Sequence, residues 1–374
     1  MKVGIITFHR ALNYGALLQT YALQKVLENN DVDVQVIDYR NSIIENMYYY
    51  KSFSERRTIK EKVKYLLQAK EELAKRDRFE EFRTNKLRLT KKPYINDSDL
   101  SEISDYFDYY ITGSDQVWNY RAHKFDKSYF LKFVSQNKKK KSYAASFGIS
   151  TLESEYVDEY RSALADFEIC SVREKEGVQI VEETLGLRAR VDIDPTLLLT
   201  KEQWKSESSY LHEENYILLY CFELTPSMKK FTEELSAGTG LEVRYFGQSF
   251  RSPLKVKCKG IKNAGPLEFV KSFIEAKYVV TNSFHGAAFS INLNKEFFVE
   301  LLVKGKDVNS RIRNIIRLTG LGHRYIVENK ALQDYEEINW SEVNRILDNE
   351  RLKSIMYLRR TICKEDPGVG VIDN

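Results

Sequence analysis

The amino-acid sequence predicts an α/β protein whose two domains face each other across a cleft. The chain has 374 residues, which is too long for one ordinary hydrophobic core and fits two α/β domains. Short apolar runs alternate with helical patterns in both halves of the chain, and this alternation is typical of parallel sheets with right-handed crossovers. Ligands of such sheets bind at the carboxyl ends of the strands, so the loops that follow the strands are the candidate sites.

The first half opens with an apolar strand, a glycine-containing loop and a helix. The strand is predicted over 2–8 and the helix over 16–29, where apolar residues recur at helical spacing. Asn13 precedes this helix and is a candidate N-cap. The loop lacks the G-x-G-x-x-G pattern, which argues against a dinucleotide. The further strands predicted in this half are 32–39, 108–112, 141–147 and 167–172.

The second half repeats the alternation after D-P-T-L-L-L at 194–199. We expect a first domain over 1–200, a second over 201–340, and a helical C-terminal segment over 341–374 that packs back on the first domain. The predicted strands of the second domain are 216–222, 242–246, 256–261, 278–281 and 296–301, with helices over 227–236 and 266–276.

A basic helical insertion interrupts the first domain. Residues 51–92 hold fifteen Lys or Arg against seven Asp or Glu, a net charge of 15 − 7 = +8 in a chain whose total is +4. Two interpretations stay open. The run is a solvated helix face with i,i+4 ion pairs, or it docks on an anionic membrane surface or a phosphate-bearing acceptor.

Composition excludes several classes of protein. A net charge of +4 is too small to favour nucleic acid as a partner. The four cysteines are far apart and make neither a disulfide framework nor a metal site with histidine, so we expect no metal. There is no cleavable signal pattern and no apolar run long enough to span a membrane. The chain is therefore expected in the cytoplasm, where peripheral contact with the inner membrane surface stays open.

The stretch Y-V-V-T-N-S-F-H-G-A-A-F at 278–289 is the strongest candidate site in the second domain. It is predicted as a buried strand, a turn at Asn282 and Ser283, and a helix that starts near His285 and Gly286. A helix start offers free backbone N–H groups and the positive end of the helix dipole, which suit an anion. His285 is a candidate for proton transfer there, although a single histidine at such a turn is more often structural.

The first domain offers polar loops at the same sheet edge. G-S-D-Q follows a predicted strand and supplies Gly113, Ser114, Asp115 and Gln116. Asp115 is either a base for a substrate hydroxyl or a turn cap. The loop after the first strand adds three further candidates for acceptor binding, namely Asn13, Tyr14 and Gly15.

Arginines near the strand ends are candidates for anion binding. Arg173 follows the strand predicted over 167–172 and can hold a carboxylate or phosphate by two points, or pair with Glu174 or Glu176. Arg311 and Arg313 lie in a predicted glycine-containing loop that leads into a late helix, and they lie either in the cleft or on the surface.

Six ordered blocks together resemble the polysaccharide pyruvyl transferase family. They are I-I-T-F-H-R with N-Y-G-A-L-L-Q-T-Y-A-L-Q, I-T-G-S-D-Q-V-W-N, S-Y-A-A-S-F-G, S-V-R-E-K-E-G, D-P-T-L-L-L and T-N-S-F-H-G-A-A-F-S. The resemblance covers about 1–321 and implies two Rossmann-like domains in a GT-B-like arrangement with an interdomain cleft. It also implies phosphoenolpyruvate as co-substrate, with no other cofactor, and an acceptor sugar of a bacterial surface polysaccharide or its lipid-linked precursor.

The resemblance assigns donor binding to Arg173 and an essential role to His285. Several family members carry an arginine where this chain has Ser283, so the resemblance leaves open which residue makes that second donor contact; Arg311 and Arg313 are the candidates. Two other functions are compatible with the same fold: a GT-B glycosyltransferase that uses a nucleotide sugar, and a non-catalytic polysaccharide-binding protein.

Overall fold

The structure is a computed structural model that describes residues 1–209, 214–247, 254–302, 306–328, 330 and 332–363. The end of the predicted C-terminal segment, 364–374, lies outside the described residues. The strands are β1 (Lys2–Ile6), β2 (Asp33–Val36), β3 (Tyr109–Thr112), β4 (Lys140–Ser142), β5 (Cys170–Val172), β6 (Ala189–Val191), β7 (Ile217–Tyr220), β8 (Val243–Phe246), β9 (Cys258–Ile261), β10 (Tyr278–Thr281) and β11 (Glu296–Val299).

Helices lie between most of these strands and follow the last one. The α-helices are α1 (Tyr14–Glu28), α2 (Ser42–Met47), α3 (Ile59–Lys86), α4 (Asp97–Ser101), α5 (Tyr120–His123), α6 (Val157–Leu164), α7 (Lys175–Gln179), α8 (Lys201–Glu207), α9 (Pro226–Thr239), α10 (Pro266–Glu275), α11 (Phe284–Asn292), α12 (Lys306–Leu318) and α13 (Trp340–Leu358). Short 3₁₀ segments occur at Lys127–Phe130, Asn137–Lys139, Ser154–Tyr156, Pro195–Leu197, Gly322–Arg324 and Leu332–Asp334, and π turns at Ile180–Thr184 and Arg359–Cys363.

Each half of the chain builds its own parallel sheet. Within the described residues, the first sheet has the order β2-β1-β3-β4, and a bridge between Ala145 and Val172 connects it to the β5–β6 pair. The second sheet has the order β11-β10-β7-β8-β9. The order reverses between β1 and β3 in the first half and between β7 and β10 in the second, and these switch points are where such sheets bind ligands.

Several strands are shorter at their carboxyl ends than the sequence pattern predicts. The predicted strand 141–147, for example, leaves the ladder after Ser142. The apolar residues beyond it stay buried, and Ala145 still bridges Asp115 and Val172, but Ala144 has a positive φ of 48° and interrupts the ladder. Hydrophobicity alone therefore does not mark the end of the ladder.

Helix α1 lies between the two halves. Its N-cap is Asn13, as predicted, because the Asn13 side chain accepts a hydrogen bond from the Ala16 N–H at 3.2 Å. The helix is buried on nearly all sides. Its own apolar residues therefore lie on all of its faces rather than in one stripe. Tyr14 stacks on Phe269 of the second half at 4.4 Å between ring centroids, and its hydroxyl donates to the Ala264 carbonyl at 2.9 Å.

Hydrogen bonds reinforce the joint between the halves. The Asn292 side chain at the end of α11 donates to the carbonyls of Thr196 and Leu199, at 2.8 and 3.0 Å. Arg351 of α13 donates to the Asn292 side chain at 2.6 Å and to the Leu197 carbonyl at 2.7 Å. The position of α11 is therefore fixed from both sides.

Helix α13 also contacts the first half. The Tyr357 hydroxyl donates to the Ser142 carbonyl at 3.1 Å, and Ser354 donates to Asp192 at 3.2 Å. The domain boundaries predicted at residues 200 and 340 remain predictions.

Helix α3 forms the core of the basic insertion. It begins with a capping box in which the Thr58 side chain and Glu61 satisfy each other's backbone N–H groups. Further along, Arg78 pairs with Glu268 at 3.1 Å, which ties the helix to the second half. Among the described helices, none is both long and apolar enough to cross a membrane.

We predict that Arg351→Ala destabilises the protein by about 2–4 kcal/mol, because it leaves the buried Leu197 carbonyl and the Asn292 side chain without a donor. Arg345→Ala is the matched control: its side chain lies on the same helix, is 70% exposed and pairs only with Glu342 among the interactions described for it. Its loss should lower stability by less than about 1 kcal/mol. Urea unfolding followed by circular dichroism measures both changes, and equal effects of the two variants would contradict the prediction.

Candidate functional site

A buried ion pair occupies the centre of the candidate site. Arg173, which follows β5, donates through Nη1 to Asp194 Oδ2 at 2.7 Å, and the Ser114 hydroxyl donates to the same oxygen at 3.1 Å. The other Asp194 oxygen accepts from the backbone N–H and the hydroxyl of Thr196, at 3.0 and 2.7 Å. Burial alone would raise the pKa of Asp194, but Arg173 and these hydrogen bonds hold that pKa below its ordinary value.

His285 approaches this pair from the second half. It lies in the first turn of α11, after β10, and its Nε2 is 3.9 Å from Asp194 Oδ2. The other side of the ring meets the start of α1: a Cβ atom on Gly15 would lie 2.0 Å from His285 Nδ1. Only glycine at position 15 lets the two halves approach this closely, so His285 is held between them.

The protonation of His285 is set by its surroundings. The side chain is 10% exposed. Burial lowers the pKa of the imidazole to about 4; Asp194 and Asp115 partly oppose this effect, whereas Arg173 and Arg311 add to it. The ring is therefore neutral at pH 7 and available to accept a proton, rather than already carrying one.

Arg311 of α12 is the second cation of the site. It is buried, and burial beside Arg173 lowers the pKa of its guanidinium to about 10. Its charge acts on Arg173, His285 and the neighbouring carboxylates, which places it in the same cluster.

Several donors of this cluster have no acceptor within the described residues. They are Nε and Nη2 of Arg173, Nε of Arg311 and Nε2 of His285, all of them buried. Asp194 takes only Nη1 of Arg173, so within the described residues the Nε–Nη2 edge of that guanidinium makes no hydrogen bond, although Glu174 and Asp115 each lie 3.9 Å from it. Such an edge can make a two-point contact with an anion. Buried unsatisfied donors are rare and call for an explanation such as a ligand.

Carboxylates nevertheless outnumber arginines in the cluster. Asp115 Oδ1 is 3.9 Å from Arg173 Nη2, and Glu174 Oε2 is 3.9 Å from Arg173 Nε. With Asp194, three carboxylates face two guanidinium groups, for a formal charge of 2 − 3 = −1 when His285 is neutral. A multiply charged anion therefore binds best if the site takes up a proton with it.

Asp115 is both a turn residue and a neighbour of Arg173. Its backbone has a positive φ of 76°, and its Oδ1 accepts from the Gln116 N–H at 2.8 Å. A left-handed conformation at a residue other than glycine costs energy and often marks a functional turn. The sequence leaves two roles open for Asp115, a turn cap and a base for a substrate hydroxyl. This geometry is compatible with both roles.

The remaining candidates of the first half make contacts within the protein. The Gln116 side chain accepts from Asn119 at 2.8 Å, and Gly113 lies at the end of β3, where an added Cβ would approach Thr7 to 3.2 Å. Asn13 caps α1, and Tyr14 is used in the joint between the halves as described above. The prediction that Tyr14 binds substrate is not supported, because its ring is stacked and its hydroxyl already donates.

The turn before α11 is held rigidly. Asn282 accepts from the Phe222 N–H at 2.9 Å and donates to the Glu223 carbonyl at 2.7 Å, so its side chain ties the loops after β7 and β10 together instead of facing a ligand. Ser283 is at the N-cap position, where its N–H donates to the Thr281 hydroxyl at 3.0 Å. A Cβ on Gly286 would lie 2.1 Å from that hydroxyl oxygen.

The prediction that Arg313 reaches into the cleft is wrong. Arg313 is exposed and lies close enough to Tyr325 for its charge to lower that side chain's pKa, although burial raises this pKa overall. The physical reason is helical geometry: residues two apart on α12 point in nearly opposite directions, so burying Arg311 turns Arg313 outward.

Sequence reasoning missed Asp194 as a residue of the site and considered Glu174 only as an ion-pair partner of Arg173. Asp194 is the hub of the cluster, and Glu174 accepts through Oε1 from the Ser146 hydroxyl at 2.7 Å and the Phe147 N–H at 3.1 Å. A signal for Asp194 was present, because an aspartate directly before Pro195 is typical of a helix cap in a fixed turn. Within the described residues, no group of His, Cys, Asp and Glu is arranged to hold a metal ion.

A family model described as polysaccharide pyruvyl transferase matches residues 13–299. No curated protein matches the chain. The structure of UDP-GlcNAc 2-epimerase from Neisseria meningitidis bound to UDP-GlcNAc is similar with a TM-score of 0.50 and 11% identity, over 98% of this chain and 100% of that chain.

A second epimerase structure has a comparable likeness. UDP-GlcNAc 2-epimerase from Methanocaldococcus jannaschii, in complex with UDP-GlcNAc and UDP, has a TM-score of 0.48 and 14% identity, over 98% of this chain and 100% of that chain. At such identities the likeness concerns the fold alone. The likeness to the Neisseria meningitidis structure, at a TM-score of 0.50, and the two parallel sheets confirm the predicted fold class of two Rossmann-like domains in a GT-B-like arrangement.

We predict that His285 makes the protein sensitive to mild acid. Its pKa is lowered from 6.5 to about 4 in the folded state, so between these values the unfolded chain binds more protons and stability falls as pH falls. The loss between pH 7 and pH 5 should be about 2 kcal/mol. Urea unfolding at both pH values should show this loss in the natural protein and a smaller one in His285→Gln; identical losses would contradict the assignment.

Proposed function

The chain belongs to the polysaccharide pyruvyl transferase family, and we propose that it transfers the enolpyruvyl group of phosphoenolpyruvate to a sugar. The acceptor is a sugar of a bacterial surface polysaccharide or of its lipid-linked precursor, the product is a pyruvate ketal, and phosphate is released. The observation that carries this proposal is the cluster of buried nitrogens on Arg173, Arg311 and His285 that have no hydrogen-bond partner in the described part of the chain.

Phosphoenolpyruvate fits the chemistry of this cluster. It is a small molecule with a carboxylate and a phosphate, so it needs two sets of donors close together. The Nε–Nη2 edge of Arg173 suits one of these groups, and Arg311 with the first backbone N–H groups of α11 suits the other. Arg311 thereby supplies the positive charge that relatives with an arginine in place of Ser283 carry on the turn itself.

His285 is the proton carrier of the proposed reaction. A neutral imidazole accepts the proton of the first sugar hydroxyl and delivers it to the methylene carbon of phosphoenolpyruvate, which becomes a methyl group. The adjacent carbon becomes an oxocarbenium-like electrophile, and the sugar oxygen bonds to it. Phosphate then leaves, a second hydroxyl of the sugar attacks the same carbon, and its proton passes to His285 or to the phosphate.

Binding of phosphoenolpyruvate favours the charged form of His285. Burial and the two arginines hold the pKa of the imidazole at about 4, as described above. Additional negative charge near the ring raises that pKa, because it stabilises the imidazolium. The ring thus gains proton affinity when the donor is bound and loses it when phosphate departs, which is what a proton carrier requires.

Asp115 is proposed to assist on the acceptor side. It lies at the switch point of the first half, and its charge acts on the pKa of the Tyr48 hydroxyl, which also contacts Asn13. These groups form a polar corner next to Arg173 where a sugar hydroxyl can be oriented. We place the acceptor in this first-domain corner and the donor against α11 and α12.

We predict that His285→Ala lowers turnover by about 10²–10⁴-fold, the usual contribution of a positioned acid or base. Phosphate release from phosphoenolpyruvate, with the pyruvylated sugar detected by mass spectrometry, measures the reaction. Circular dichroism checks that the variant is folded. A near-normal rate in folded His285→Ala would exclude the role given to this residue. Release of nucleotide from a nucleotide sugar, without phosphate release from phosphoenolpyruvate, would instead indicate a glycosyltransferase.

We predict a contrast between two arginines that are two residues apart. Arg311→Gln should lower kcat/KM for phosphoenolpyruvate by about tenfold to a hundredfold, because a hydrogen bond to a charged group contributes roughly 1.5–3 kcal/mol. Arg313→Gln removes the same charge from the exposed side of the same helix and should change kcat/KM less than about twofold. Steady-state kinetics at fixed acceptor concentration separates them, and equal effects would show that Arg311 acts only through net charge.

A further inference from the structure

The outward face of helix α3 carries large apolar side chains in contact with solvent. Ile59 is 82% exposed, Leu66 69%, Leu67 56%, Val63 49% and Leu73 45%. Single exposed apolar residues are common on protein surfaces, but a contiguous group of this size usually marks an interaction site.

These residues form one stripe. At 3.6 residues per turn, their side chains fall within an arc of about 120° along the first half of the helix. Phe79 and Phe82 are buried and project from the opposite side of the helix, where α3 packs on the protein. Helix α3 therefore carries apolar side chains on two sides. One side packs against the protein, and the other faces solvent.

Positive charge surrounds the stripe. Residues 51–70 contain seven Lys or Arg against two Glu, a net charge of 7 − 2 = +5. Lys60 and Lys64 are exposed near one edge of the stripe, and Lys62 lies near the other. Lysine stems can lie along an apolar surface while their ammonium groups reach into a polar layer.

The two acidic residues of this segment are engaged locally. Glu61 completes the capping box of α3. Glu55 accepts hydrogen bonds from the Ser52 backbone and hydroxyl, at 2.8 and 2.6 Å, and from the Tyr49 hydroxyl at 2.9 Å. The charges of Glu55 and Glu61 are thus engaged before and at the start of the helix. Lys60 and Lys64 are exposed, and the Lys62 ammonium lies 5.5 Å from the centre of the Phe53 ring.

We infer that the first half of α3 docks on an anionic phospholipid bilayer, with the stripe in the interface and the lysines on the lipid phosphates. Helices that lie in the membrane interface combine these two properties, an apolar face and a basic border. The charge also argues against a second copy of this chain as the occupant, because two copies would bring two segments of +5 together.

The rest of α3 connects the docked half to the cleft. Helix α3 forms one wall of a cavity of about 320 Å³, whose lining includes Arg10, Arg40, Arg76, Arg83 and Tyr48. The Tyr48 side chain reaches Asn13 and the charge of Asp115. A docked α3 brings this side of the first domain toward the lipid head groups. The inference that docking brings the site closer to a lipid-linked acceptor rests on the proposed function. The docking itself does not rest on it.

Flotation of the full-length protein with vesicles tests the inference. The vesicles are phosphatidylcholine alone or phosphatidylcholine mixed with phosphatidylglycerol. We expect binding to the mixed vesicles only, and release by high salt. Changing Lys60, Lys62 and Lys64 together to Gln should weaken binding about a hundredfold, since each lysine near an anionic surface contributes roughly fivefold.

The apolar stripe is tested by Leu66→Glu combined with Leu67→Glu. This variant should lose binding to the mixed vesicles, whereas Leu352→Glu, at a leucine of α13 that is 57% exposed, should bind normally. Phosphate release with a water-soluble acceptor should be unchanged in all of these variants, so failure of docking and failure of the transfer reaction are seen separately.

Two results would overturn the inference. One is that the natural protein does not float with the mixed vesicles, or that the Leu66 and Leu67 changes leave flotation intact. The other is that analytical ultracentrifugation shows a dimer that these changes abolish, which would assign the stripe to a second copy of the chain.

Discussion

The buried pair of Arg173 and Asp194 is the interaction on which the site depends. Placing two charges in the interior is expensive unless hydrogen bonds satisfy them. Asp194 achieves this with four donors: Arg173, Ser114, and the N–H and hydroxyl of Thr196. Arg173 remains only partly satisfied, since two of its nitrogens lack an acceptor in the described part of the chain. Asp194 therefore holds the Arg173 guanidinium in place, while the Nε–Nη2 edge of that guanidinium makes no hydrogen bond and can contact a ligand.

The two halves supply different residues to this site. The first half supplies Arg173, Asp194 and the turn at Asp115, all near the carboxyl ends of its strands. The second supplies His285 and Arg311 from the starts of two helices. The cluster of charged groups is complete only where the two sets meet. The joint that holds the halves together, built from α1, α11 and Arg351, is therefore as important to the site as the residues in it.

The sequence was informative where local patterns decide the structure. Strand and helix positions, the Asn13 cap, and the loops after β3, β5 and β10 follow from periodicity and from turn residues, and they are found close to where they were predicted. Arg313, Tyr14 and Asn282 show the limit of this approach. The Arg313 side chain is directed by helix rotation, and Tyr14 is occupied by contacts with the other half. Asn282 is occupied by the loop after β7 of its own half. No local pattern records these contacts. Asp194 was overlooked because its importance comes from three partners distant in the chain.

The contact between Gly15 and His285 links the acid–base state of the imidazole to the separation of the halves. The ring is dry because the start of α1 covers one side of it. Any hinge movement that lifted α1 away would hydrate the ring and bring its proton affinity back toward that of a free histidine in water. Between about pH 4 and pH 6.5, the protein would then bind a proton when it opens and release one when it closes without an anion inside. A change in the separation of the two halves would therefore change the number of bound protons, which a pH electrode measures directly.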